Sequence, residues 1–103
     1  MQKITSEMSV QQTIQALRNY KTNHAQTYGI TAIGLFGSQA RGTATNHSDI
    51  DVVVQLAHPD LFMLAGIKND LEELLKKPVD IVRYSENMSA RLKYEIDGNT
   101  IYA

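Results

Sequence analysis

The chain has 103 residues, 43% of them hydrophobic and 20% charged, with ten basic against eleven acidic side chains. That length fits one domain, which buries roughly 60–68% of its unfolded surface without cross-links, and the lack of cysteine excludes a disulfide framework, a thiolate zinc site and a cysteine nucleophile. No apolar run approaches the ~18 residues of a membrane span, no hydrophobic signal stretch opens the chain, and a net charge of −1 lacks the basic footprint of direct nucleic-acid binding, so a cytoplasmic protein is expected.

Residues 1–8 have no period and read as a loose leader to a single domain over 9–103. Ser9 stands three before Gln12, a capping box, and Val10, Ile14 and Leu17 then recur at helical spacing up to Gly29. Ile30 to Phe36 is a short apolar run rich in β-branched residues, a buried strand. Gly37-Ser38 breaks it, Gln39-Ala40-Arg41 makes one helical turn before Gly42, and 43–48 is a polar loop. Asp49 to Val54 is a second strand, with Ile50, Val52 and Val54 on one face and Asp49, Asp51 and Val53 on the other.

Pro59 at a first helical position, with Asp60 beside it, opens a helix whose buried stripe is Leu64, Ile67, Leu71, Leu74 and Leu75. Lys76, Lys77 and Pro78 close it. Val79 to Val82 is a third strand. A last helix runs from about Ser85 through Met88, Leu92 and Ile96 to Gly98, and Thr100-Ile101-Tyr102 is a short edge strand. Alternating helices and strands with short connections predict an α/β (α+β) domain, one small mixed sheet with helices packed on it.

The informative stretch is Gly37-Ser38-Gln39-Ala40-Arg41-Gly42, followed after the loop by Ser48-Asp49-Ile50-Asp51. Gly-Ser and Asp-x-Asp at this fixed spacing arise by chance about once in 10³ chains of this length, and Arg41 lowers that by roughly another factor of twenty. Gly37 permits a sharp turn and close approach of an anion. Ser38 and the amides after it direct N–H groups at a phosphate, and Arg41 adds a planar fork suited to phosphate oxygens. Asp49 and Asp51 project from one strand face ~6–7 Å apart. Their mutual repulsion, roughly 2–3 kcal/mol at an effective dielectric of ~20, is what a divalent cation relieves. Few hard oxygen donors suit Mg²⁺, which keeps waters and takes substrate phosphates as ligands.

This Gly-Ser-(x)₁₀-Asp-x-Asp pattern resembles the nucleotidyltransferase superfamily of the DNA polymerase β type. The short chain and the Gly-Ser-x-Ala-Arg-Gly wording are similar to its minimal (MNT) members, antitoxins paired with HEPN-domain ribonuclease toxins. The resemblance covers nearly the whole chain. It implies a polymerase β-like fold and a two-metal site using Mg²⁺ and ATP, with AMP transferred to a tyrosine of the HEPN partner. It also implies a third carboxylate from a later strand, a place Asp80 fills, as a metal ligand or as general base on the acceptor hydroxyl. Asp49, Asp51 and Asp80 are then the catalytic and metal-binding residues, and Gly37, Ser38, Arg41 and Ser48 the nucleotide-binding ones.

Each residue also has a plainer reading. Gly37-Ser38 alone is ordinary turn chemistry, Asp80 suits a solvent-facing position on an edge strand, and Arg41 suits a surface ion pair. His47 is read as a loop residue, and His24 and His58 have no partners by spacing. The tyrosines read as core or rim. The competing functions are an antitoxin that neutralises by masking its partner, and a small-molecule transferase of the aminoglycoside type acting as a homodimer. The chain has no extra domain to grip base and acceptor, so a partner surface or a second subunit would complete the cleft.

Overall fold

A computed structural model describes residues 9–42, 49–58, 60–85 and 87–103. The expectations for the leader 1–8, for loop 43–48 with His47 and Ser48, and for Pro59 lie outside them. The elements run α1 (Val10–Tyr28), β1 (Ile30–Phe36), α2 (Gly37–Arg41), β2 (Ile50–Leu56), α3 (Leu61–Leu75), β3 (Val79–Arg83), α4 (Ala90–Asn99) and β4 (Ile101–Tyr102). They form a four-stranded sheet in the order β3-β2-β1-β4. β1 is antiparallel to β2 and β4, and β2 is parallel to β3, so the sheet is mixed as expected.

The helix ends show how short polar side chains set boundaries. At α1 the capping box forms, Gln12 N donating to Ser9 Oγ at 3.1 Å and Ser9 N to Gln12 Oε1 at 2.9 Å. α3 starts at Leu61, because Asp60 Oδ1 accepts from Phe62 N at 2.7 Å and from Met63 N at 3.4 Å. A carboxylate that satisfies two orphan amides fixes the start there. α4 starts at Ala90 rather than near Ser85, since Ser89 Oγ accepts from Leu92 N. It runs through Gly98 to Asn99, where Thr100 donates both N–H and Oγ1–H to the Ile96 carbonyl.

The two sheet faces are covered unequally. On one, Ile33, Leu35, Ile50, Val52, Val54 and Val79 meet Ile14, Leu17 and Tyr20 of α1 and Ile67, Leu71 and Leu75 of α3 in a single buried cluster. Ile30 joins the same face as Ile33 because a bulge between Ile30 and Ala32 inserts one extra residue against β2. On the other face the buried cluster is Phe36, Val53 and Ile96, with Val82, Tyr84, Met88 and Leu92 around it. The alternation expected of β2 is thus the one observed.

Leu74, expected in the α3 stripe, is 45% exposed. It overhangs an open groove of about 490 Å³ beside Tyr20, His24, Asp70, Glu73 and Lys76. His24 does have partners by spacing: its ring stacks on Tyr20 and Tyr28 at i−4 and i+4, and its Nδ1 lies 3.1 Å from the Tyr20 carbonyl. Tyr20 and Tyr28 in turn donate to Asp70 Oδ2 and tie α1 to α3. No helix of the described residues is long and apolar enough to cross a membrane.

Candidate functional site

Three strand ends meet at one edge of the thinly covered face: the C-terminus of β1 and the N-termini of β2 and β3. Register makes the row explicit. Phe36 of β1 pairs with Asp51 of β2, and Asp51 pairs with Asp80 of β3. Paired residues on neighbouring strands share a face and lie about 4.8 Å apart, so Asp51 and Asp80 point the same way. Asp49, expected as the first residue of this strand, lies just before it, since β2 starts at Ile50, and its charge still reaches Asp51. Asp49 and Asp80 are exposed and Asp51 is half-buried. β3 is an edge strand, so Asp80 is open to solvent laterally while facing the same row.

Asp51 carries the electrostatic signature of this crowding. Partial burial, then the charges of Asp80, Asp49 and Glu95, raise its carboxyl above the usual aspartate value, and Arg41 opposes them. Several acids therefore face one half-buried carboxylate. Among the described residues, no group of three or more acidic or imidazole side chains is drawn together closely enough to hold an ion by itself. The acids form an open row on three segments rather than a closed cage.

Gly37 begins α2 directly beneath this row. Its φ is 74°, in the left-handed region, and a Cβ added there would collide with the Asp51 carboxylate, 2.9 Å from Cγ. The glycine is required by the neighbouring acid as much as by any ligand. Ser38 follows in the same turn, partly exposed. Arg41 closes α2 and forms an ion pair with Glu95 of α4, Nη1 to Oε2 at 3.0 Å. That pairing matches the plainer reading of Arg41, and it keeps the guanidinium on the side of α2 that faces α4. Ser48 lies outside the described residues.

Two residues absent from the sequence reading shape the site. Glu95 joins it from 54 residues beyond Arg41, and no local pattern marks it. Glu72 Oε2 accepts from Lys68 Nζ at 2.8 Å and from Val79 N at 2.9 Å, pinning the residue before Asp80 to α3. These bonds hold its carboxyl below the usual glutamate value, the Lys68 contact first and the Val79 amide second. Its i,i+4 spacing to Lys68 was available in the sequence, its reach to Val79 was not.

The polymerase beta nucleotidyltransferase family matches residues 10–103. The protein adenylyltransferase MntA of Thermococcus cleftensis is 35% identical over 78 residues, which are 75% of this chain and 79% of that one. A solved structure described as a "putative minimal nucleotidyltransferase" is 32% identical with a TM-score of 0.74, over 94% of this chain and 98% of that one. A solved toxin–antitoxin with AMP-PNP shares the fold, with a TM-score of 0.71 at 24% identity over 85% of this chain and 69% of that one. Matched from α1 to its last residue, this chain belongs to the polymerase beta nucleotidyltransferase family.

Proposed function

We propose that the chain is an antitoxin that transfers AMP from ATP to a tyrosine hydroxyl of a HEPN-domain ribonuclease toxin. The observation that carries this reading is the row of acids set against Gly37 at the start of α2, in a chain similar to a protein adenylyltransferase over most of its length. The tyrosine oxygen attacks the α-phosphorus, the bond from that phosphorus to the bridging oxygen breaks, and pyrophosphate leaves. Gly37 and Ser38 receive the β- and γ-phosphates, Arg41 adds its guanidinium, and Ser48 keeps the nucleotide-binding role the sequence pattern implies. Asp80, open at the sheet edge, faces the incoming acceptor, as metal ligand or as the base that takes its proton.

The donor set fits Mg²⁺. Asp49, Asp51 and Asp80 offer hard oxygens and repel one another, and their open arrangement leaves room for water and phosphate ligands. When bound, Mg²⁺ neutralises the triphosphate and lowers the pKa of the acceptor hydroxyl. A partner surface is the fitting acceptor because Asp49 and Asp80 are exposed, so a protein hydroxyl can reach the row from solvent.

The test is to incubate the purified chain with its HEPN partner, Mg²⁺ and [α-³²P]ATP. Label is expected on a tyrosine of the partner, lost with Asp49→Asn or Asp51→Asn. Full neutralisation of the toxin by an Asp49→Ala/Asp51→Ala variant would mean masking and would overturn the catalytic reading.

A further inference from the structure

We infer that Glu95 is a positioning residue for nucleotide binding: from α4 it holds the Arg41 guanidinium end-on, leaving the rest of the fork for a phosphate. This rests on the nucleotidyl-transfer reading above. Arg41 Nη1 meets Glu95 Oε2 at 3.0 Å, with the two side chains 45% and 40% exposed. Among the described residues that single nitrogen is the one engaged. A guanidinium carries five N–H donors in a rigid plane, so one contact orients the group without exhausting it.

The anchor behind Glu95 is firm. The next residue, Ile96, is fully buried against Phe36 and Val53, and Phe36 both precedes Gly37 and pairs with Asp51. Glu95 is thereby referenced to the same strand row that carries the acids, whereas α2 is only five residues long. An exposed pair of this kind adds little to stability. Its effect belongs in binding, where a preset side chain costs less to order.

The experiment is a double-mutant cycle on binding of Mg²⁺-ATP by the full chain, read by calorimetry so that no acceptor is needed. Glu95→Ala is expected to weaken binding about fivefold to tenfold, the scale of lost preorganisation. Glu95→Gln, which keeps an acceptor oxygen, is expected to recover part of it. Arg41→Ala should lose at least as much, and Arg41→Ala/Glu95→Ala no more than Arg41→Ala alone. In turnover assays the same loss should fall on KM for ATP rather than on kcat. Unchanged or tighter binding by Glu95→Ala overturns the inference, as does an additive double variant. A wild-type chain that binds no ATP overturns both this inference and the proposed function. A cycle that closes as expected without any transfer to the HEPN partner removes only the acceptor assignment.

Discussion

The two faces of the sheet are built to different ends. Among the described residues, thirteen buried side chains of the sheet, α1 and α3 form one continuous cluster. On the side of α2 and α4 three do so, and the end of that face bears a row of carboxylates instead of apolar side chains. The contrast teaches where the folding free energy is concentrated: one face holds the domain together, so the other can keep mutually repelling acids at its rim. The same strand, β2, serves both, with Val52 in the large cluster and Asp51 facing the opposite way.

The sharpest way to break this contrast is to change chemistry without harming the fold. Asp51→Asn should lower nucleotidyl transfer about 10²–10³-fold, the scale for removing a key electrostatic group from an active site. At neutral pH it should also melt higher, by about 0.5–1 kcal/mol once solvent screening of the half-buried group is allowed for. The sign follows from the raised carboxyl. In the wild type, stability falls as pH rises from the unfolded aspartate value, ~3.9, through the higher folded one, and stays lower above it. Asn does not ionise, so the gap between the two melting curves should open over that window. A variant that melts lower at every pH contradicts the division of labour between the faces.

On the opposite face, Leu71→Ala should cost about 3 kcal/mol by cavity formation, measured by urea unfolding, while transfer by the remaining folded fraction is retained. Gly37→Ala should act on both properties at once. Left-handed strain and the collision with Asp51 predict a loss of about 1–3 kcal/mol together with a fall in transfer. The mildest effect is expected from Glu72→Gln, which keeps an acceptor for Val79 N but loses the charge facing Lys68. Glu72 titrates below the usual glutamate value. Its contribution is therefore complete above the unfolded value, ~4.3, and lost as pH falls through the folded one. Wild type and variant should differ near neutrality, most visibly in amide exchange at the start of β3, and converge in acid.

Much of the large face was legible because its information is local and periodic. The Ser9–Gln12 box, the Ile14–Leu17 stripe and the alternation of Ile50, Val52 and Val54 each declare themselves within a few residues. The Gly37-Ser38 to Asp49-Ile50-Asp51 spacing did the same for the family. The start of α4 was less legible, because at Ser89 one side-chain oxygen outweighs the apolar stripe that begins at Met88. His24 was underrated although its two tyrosines sit one helical turn either side. Contacts such as Glu95 to Arg41 and Glu72 to Val79 depend on how α4 and α3 settle on the sheet, and no window of sequence contains them.

The phenol groups have a consequence of their own. Tyr20 and Tyr28 both donate to Asp70, and Tyr84 donates to Asp97. Burial first, then the nearby acid, keeps Tyr20, Tyr28 and Tyr102 protonated to more alkaline pH than a free tyrosine. Held as neutral donors, Tyr20 and Tyr28 keep their bonds to Asp70 well into alkaline solution, so the tie between α1 and α3 does not loosen there.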